Sequence, residues 1–409
     1  MANVLKRGCP VCDGTEGDVV HRQGFVAPAE LAAPDVVDIV ICDSCGMCFS
    51  DLAVPQVEID AAYAEHSKYA DTSLYAADGE VDLPPTDAPW DLERLEGTAK
   101  WLAENVRPDA RVLDAGCATG ALISFLKDEG FTRLVGLDPS PVAAETVRRR
   151  YEVEAVAGSV FDPPAGLGTF DLVVLSHVME HLREVRDVVE GLHRMTNVGG
   201  FVYVEVPDAM RYSEHLIVPF HDFNTEHINH FSERLLRSLF ESAGFVTRSS
   251  GTKNMPVSPV GLYPATFGLF EKVTTELTWG TVGADPALPP GIRAYVEKSS
   301  AMMNEFAQTI DAQVGVGPVV VWGAGQLSMK LLAGPLAGVE VEAIVDGSDD
   351  KWGMQMGGLE VVSPESISSS SSPILVTSIH HFASIAAGIE RMYPGRHVIA
   401  LPVPPATGS

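Results

Sequence analysis

Positive charge is scarce in this chain of 409 residues: 28 lysines and arginines stand against 55 acids, a formal net charge of −27. A nucleic-acid backbone would be repelled unless a local basic patch intervened. The densest basic cluster is Arg148, Arg149 and Arg150, which reads as a solvated helix end. A nucleic-acid binder is thereby excluded. Long apolar runs are also missing, since none approaches the roughly 18 residues of a membrane span. The opening MANVLKRGCP lacks the apolar core of a signal peptide. A cytoplasmic protein with reduced thiols is expected, with no membrane partner. The composition of disorder is absent too: 46% of residues are hydrophobic and 20% charged. At roughly 100–200 residues per domain, the length allows two or three domains.

Cysteine is nearly missing beyond the first 48 residues, where Cys9, Cys12, Cys42, Cys45 and Cys48 lie; only Cys117 falls elsewhere. CPVC at 9–12 and CDSC at 42–45 form two C-x2-C knuckles separated by 29 residues. A two-residue gap turns both thiolates of a knuckle toward one point, and two knuckles supply the four sulfurs of a tetrahedral zinc site. Strand-like DVVDIVIC lies between them. A redox dithiol is the alternative, although one pair would suffice for it. Cys9, Cys12, Cys42 and Cys45 are therefore expected to hold structural Zn2+ in a small lobe, with Cys48 a bystander.

A Pro/Asp-rich stretch at 78–91 reads as a linker. After it, strands alternate with helices, which implies a doubly wound parallel sheet. RVLDAGCATG (111–120) is a strand entering a glycine-bearing turn, and RLVGLDPS (133–140) is a second strand ending on an acid. Glycine permits close backbone approach to a ligand, and Asp138, 22 residues after Gly116, is placed to bind ribose hydroxyls. Nicotinamide enzymes share that device, but their G-x-G-x-x-G form is absent.

LDAGCATG, GLDPS, AGSVFD, FDLVVLSHVMEHL and NVGGFVYVEVP resemble, in order and spacing, the motifs of class I S-adenosylmethionine-dependent methyltransferases. The resemblance implies that Asp114 and Gly116 border the amino-acid end of the cofactor and Asp138 its ribose. Ser159 and Val160 would line the adenine, with Gly120, Pro139 and His177 completing the cofactor set. His177 and His181, four residues apart, fall on one face if helical and would lie beside the transferable methyl.

The segment 219–245 packs Glu226, His227 and His230 beside Asp222 and Asn224, then turns helical from about Ser232, which can cap the helix. Titratable groups at this density suit a general-base site; a polar loop latching the sheet edge is the alternative. Zinc knuckles, methyltransferase core, an E-H-x-x-x-F-S segment and a second Rossmann-like domain together resemble the sugar C-methyltransferases of deoxysugar antibiotic pathways. That resemblance implies His227 as the base that removes a proton next to a ketone, Glu226 as its partner and His181 in support. Substrate contacts are expected from Asn224 and His230, and from one of Tyr63, His66 or Tyr69. This chain departs from the family pattern in having Asn224 at the tyrosine position, and in the form of the stretch YAEHSKYADTSLY (63–75).

Residues 251–317 read first as loop, then as a helix through IRAYVEKSSAMMNEFAQTI. GPVVVWGAGQLSMKLLAG repeats the strand–glycine–helix theme, with Asp346 at the next strand's end and Ser328 where a third glycine would fall. The expected fold is thus α/β, with a zinc-binding lobe (1–82), a class I methyltransferase Rossmann-like core (83–250), and a C-terminal helical linker with a second Rossmann-like domain (251–409). The expected activity is C-methylation of a nucleotide-linked keto-deoxysugar by a monomer. The alternatives are an O- or N-methyltransferase of another small metabolite and a catalytically inactive binding protein. An anionic acceptor needs local help in so acidic a chain, from backbone N–H groups or bases such as Lys330 or Arg211.

Overall fold

The computed structural model describes residues 3–28, 34–58, 89–161, 163–258 and 261–403. Packing divides the chain into two compact units: Met1–Asp18 with Ile41–Arg211 and Glu226–Pro290, and Val19–Val40 with Tyr212–Thr225 and Gly291–Ser409.

The chain opens with β1 (Asn3–Val4), β2 (Glu16–Gly24), β3 (Val36–Cys42) and β4 (Cys48–Ser50), strands of a small sheet that carries the cysteine knuckles at its turns. Next come α1 (Pro89–Asn105), β5 (Arg111–Ala115), α2 (Ala121–Asp128), β6 (Arg133–Asp138), α3 (Pro141–Tyr151), β7 (Glu154–Ala157), β8 (Phe170–Ser176), α4 (Val185–Met195) and β9 (Thr196–Pro207). Then follow β10 (Asn229–His230), α5 (Glu233–Ser242), β11 (Phe245–Ser258) and β12 (Gly261–Lys272). The main sheet has the order β11-β12-β9-β8-β5-β6-β7. β5 through β9 are parallel, and β12 enters antiparallel between β9 and β11.

The parallel strands are covered on both faces and so read as continuous apolar runs: Leu172, Val173, Val174 and Leu175 are all fully buried. Each such side chain stabilises by about 1.5–3 kcal/mol. Helix starts are chemically marked. Ser140 accepts the Ala143 N–H at 3.2 Å ahead of Pro141 at the first helical turn, and Ser232 accepts Leu235 N–H at 3.2 Å.

Two expected boundaries are corrected. β11 runs through position 250 and pairs along its length with β12, which pairs with β9, so residues 251–258 and 261–272 belong to the core sheet and are not a loop. The N-terminal cysteine-bearing strands do not end as a separate body either, because β10 pairs antiparallel with β4. Residues 19–40, the far end of the β2–β3 hairpin, count with the second unit, where Val26 N–H bonds the Met329 carbonyl at 2.9 Å.

The second unit contains most of α6 (Leu288–Val314), then β13 (Val319–Trp322), α7 (Gln326–Ala333), β14 (Val341–Val345), β15 (Gln355–Met356), β16 (Leu359–Val362), β17 (Ile374–Val376), α8 (Phe382–Met392) and β18 (Val398–Ala400). Its sheet, ordered β15-β16-β14-β13-β17-β18, is parallel apart from β15, as expected of a second Rossmann-like fold. Met302 lies in its core, 7% exposed. Among the described residues no helix is long and apolar enough to cross a membrane.

Candidate functional site

The turn after β5 is fastened to the next strand by its backbone. Gly116 N–H bonds the Leu137 carbonyl at 2.7 Å, and Ala118 N–H bonds an oxygen of Asp138 at 2.9 Å. The other oxygen of Asp138 accepts Ser140 N–H, also at 2.9 Å. Gly116 has φ +81°, and a Cβ there would stand 2.6 Å from Val178 Cγ2. Gly120, at φ +85°, begins α2, where a Cβ would stand 2.7 Å from the Tyr151 ring. Both positions therefore need glycine. Asp114 is buried, and its carboxyl is pushed up to about 7 by that burial and by the nearby Asp138, against the pull of Arg94. Burial likewise raises Asp138, against its two backbone donors. A site that holds two carboxyls uncomfortably is suited to a cationic and hydroxylated ligand. Pro139 follows Asp138, and Ser159 and Val160 follow the end of β7, the strand beside β6.

Arg94 and its partner Glu205 were not apparent in the sequence. Glu205, fully buried on β9, lies 3.5 Å from Arg94 Nη1 and 2.5 Å from Lys253 Nζ, and accepts the Tyr203 hydroxyl at 2.7 Å. Arg94 Nη1 also donates to Ser176 Oγ at 2.8 Å, at the exit of β8. His177 continues from there with φ +56°, its ring between two carboxylates: Nδ1 is 3.2 Å from Glu180 and Nε2 is 3.2 Å from Glu205. Burial alone would lower the imidazole, but the two carboxylates outweigh it and raise it. Burial pushes Glu205 up, yet His177, Lys253 and Arg94 hold it well below the usual carboxylate range. Both ring nitrogens of His177 thus face buried acids at ion-pair distance. A cavity of about 250 Å³ opens beside this network, lined by Arg94, Trp101, Tyr203, Lys253 and Phe267.

His181 ends the short turn Met179–His181, and its ring lies 4.9 Å from that of His227, nearly perpendicular. The strands of the cysteine-bearing sheet hold the His227 segment. Ser50 N–H, at the end of β4, bonds the Ile228 carbonyl at 2.9 Å, while Ile228 N–H bonds the Glu180 carbonyl at 2.8 Å. The segment carrying His227 is thereby held between β4 and the turn carrying His181. Asn229 reinforces it, donating to the carbonyls of Met179 and Leu182 at 3.2 and 2.7 Å.

Cys9, Cys12, Cys42 and Cys45 bring their four sulfurs within 4.8 Å of one another. Cys9 and Cys45 are 3.6 Å apart, as are Cys12 and Cys42, close to the ~3.8 Å edge of a tetrahedron with 2.3 Å zinc–sulfur bonds. Gly14 is a cradle beside them: a Cβ would stand 3.0 Å from Cys42 Sγ. The donor set and spacing fit a zinc ion. Cys48 is buried and stands outside this cluster.

Other expected contacts are placed elsewhere. His230 is fully buried, its backbone is committed to β10, and burial lowers its imidazole to about 3. The ring is thus enclosed in the core. The Glu226 side chain is exposed, and its backbone carbonyl, not its carboxylate, meets His181 Nδ1 at 3.1 Å. Asn224 belongs to the second unit and donates to the His221 carbonyl at 3.1 Å. Tyr63, His66 and Tyr69 lie outside the described residues. Lys330 is 3% exposed, donates to the Phe220 carbonyl at 2.5 Å, and is lowered by burial to about 7. It is withdrawn from any diphosphate.

Residues 92–250 match the family model described as a methyltransferase domain. A probable S-adenosylmethionine-dependent methyltransferase of Mycolicibacterium smegmatis is 31% identical over 135 residues, 33% of this chain and 51% of that protein. The ribosomal protein L11 methyltransferase of Ralstonia pickettii is 39% identical over 87 residues, 20% of this chain and 28% of that one. The chain thus spans about half the length of the first relative and under a third of the second. Among solved structures, the 1,6-didemethyltoxoflavin-N1-methyltransferase of Burkholderia thailandensis is 19% identical, with TM-score 0.39, over 60% of this chain and 99% of that one. Residues 92–250 are thus similar to the methyltransferase domain of S-adenosylmethionine-dependent enzymes.

Proposed function

We propose that the protein methylates carbon in a nucleotide-linked keto-deoxysugar, with His227 as general base. The observation that carries this reading is the pair of imidazoles, His181 and His227, held 4.9 Å apart at the mouth of the methyltransferase sheet. Asp114 would hold the cofactor's ammonium and Arg94 its carboxylate. Asp138 would take the ribose hydroxyls, and Ser159 and Val160 the adenine. Gly116 and Gly120 let the backbone approach closely. Bound there, S-adenosylmethionine supplies an electrophilic methyl group. His227 takes the proton from the carbon beside the ketone, and the electron pair of that C–H bond becomes the nucleophile for the methyl. Zinc at the four cysteines would fix the β4 edge that holds the His227 segment, a structural contribution to the chemistry.

The burial of Lys330 favours a second reading, O- or N-methylation of an uncharged or cationic small metabolite, for which no diphosphate need be met. Solvent-deuterium exchange separates the two. With thymidine diphosphate-4-keto-6-deoxyglucose as probe, the wild-type chain should wash deuterium into carbon next to the ketone, and His227→Ala should not, while still binding S-adenosylhomocysteine. Exchange at the wild-type rate in that variant contradicts the base assignment. Elemental analysis should find about one zinc per chain, reduced in Cys9→Ser.

A further inference from the structure

Glu180 is a buried carboxylate that the reaction above leaves unused. It lies in the turn Met179–His181, fully buried. Its Oε1 stands 3.2 Å from His177 Nδ1, an ion-pair distance, but neither Oε1 nor Oε2 makes a hydrogen bond among the described residues. A carboxylate withdrawn from water and without hydrogen bonds is costly to hold unless positive charge comes to it. His177 supplies part of that charge but is shared with Glu205.

Two more imidazoles stand close by. His181 Nδ1 meets the Glu226 carbonyl at 3.1 Å. A carbonyl only accepts, so Nδ1 carries the proton and Nε2 the lone pair of the neutral ring. That Nε2 is 3.9 Å from Glu180 Oε1, too far for a hydrogen bond. One nitrogen each of His181 and His227 and one oxygen of Glu180 all lie within 4.8 Å of one another. Among the described residues, the titratable groups near His227 include Glu180 and His181 on the turn, Glu226 on its own segment, and His177 behind Glu180.

We propose that Glu180 is the buried counter-charge of the base, stabilising the imidazolium that forms when His227 takes the substrate proton. Glu180 acts through His227 and His181, not on the substrate, and is a positioning residue. The role expected of Glu226 passes to Glu180, whose charge is not screened by solvent. This inference rests on His227 being the base.

The test is a histidine titration followed by NMR on the full chain, with the His227 resonance identified by its loss in His227→Ala. An opposite charge at this range raises a titration midpoint by about 1–3 pH units. In Glu180→Gln the His227 midpoint should therefore fall by about one pH unit or more, while Glu226→Gln leaves it within a few tenths. An unmoved midpoint in a folded Glu180→Gln overturns the inference. If that variant does not fold, Glu180→Asp, which withdraws the charge by one methylene, should lower the midpoint by a smaller step; no step overturns the inference. A second metal ion per chain, lost in Glu180→Gln but retained in Cys9→Ser, also overturns it, because the three side chains would then be ligands. The titration needs no turnover, so the two ideas fail separately. Exchange that survives His227→Ala removes the base on which the inference rests; lost exchange with an unmoved midpoint removes the inference alone.

Discussion

At Gly116 in the first unit and at Gly323 in the second, the chain leaves a parallel strand in the same way. Each glycine N–H bonds a carbonyl of the neighbouring strand, Leu137 or Val345, at 2.7 Å. Each neighbouring strand leads to an acid that accepts a turn N–H, Ala118 to Asp138 at 2.9 Å and Ala324 to Asp346 at 2.7 Å. Each acid also accepts the N–H two residues on, from Ser140 and Ser348. A glycine followed by an acid at this distance therefore latches the turn whether or not anything binds. What separates the units lies around the latch. Two residues before Gly116 stands Asp114, while two before Gly323 stands Val321, fully buried. The oxygens of Asp138 accept backbone N–H groups, whereas Asp346 is also paired with Lys351 at 3.1 Å. In the second turn the Ser328 hydroxyl donates to the Gly323 carbonyl and meets Thr377 Oγ1 at 2.7 Å. One turn keeps acid unspent for a ligand; the other satisfies itself.

The sharpest way to break this comparison is to remove the unspent acid. Asp114→Asn should weaken S-adenosylhomocysteine binding at pH 8 at least ~100-fold, roughly 3 kcal/mol, while Asp346→Asn leaves it within about two-fold. Equal losses in calorimetry would show the turns to be equivalent. Because Asp114 is raised to about 7, wild-type affinity should fall roughly tenfold per pH unit below that value, and the Asn variant should lose this slope.

Deleting the latch itself should have similar effects in both units. Asp138→Ala and Asp346→Ala should each cost about 2 kcal/mol, read by denaturant unfolding, with only the first also weakening the cofactor. A smaller effect follows from pH. Asp114 has a folded value above its unfolded one, so its contribution to stability is full below about pH 4 and is lost as pH rises through about 7. Without ligand, the first unit should melt lower at pH 8 than at pH 5 by an amount that Asp114→Asn reduces. Smallest of all, Lys351→Met should change stability by less than about 1 kcal/mol, since that lysine is 35% exposed.

Much of this was legible because it is local. The two cysteine knuckles, the glycine turns, the acids closing the strands, and Ser232 as a cap all act within a few residues of their signals. What was hidden depends on distant partners or on broken patterns. Pro256 and Pro264 interrupt the alternation that would mark β11 and β12, yet those strands complete the sheet. Arg94 meets Glu205 across 111 residues, with no spacing to betray the pair. His230 looks like one more titratable group beside His227, but pairing with Cys48 commits it to the core. Glu226 adjoins His227 in sequence, whereas folding brings the buried carboxylate of Glu180 to the imidazoles.

The central claim is that only the turn at Gly116 holds the methyl donor. Calorimetric titration of the wild-type chain with S-adenosylhomocysteine at pH 8 tests it most directly. One equivalent per chain is predicted; no binding at millimolar concentration, or two equivalents, would contradict it.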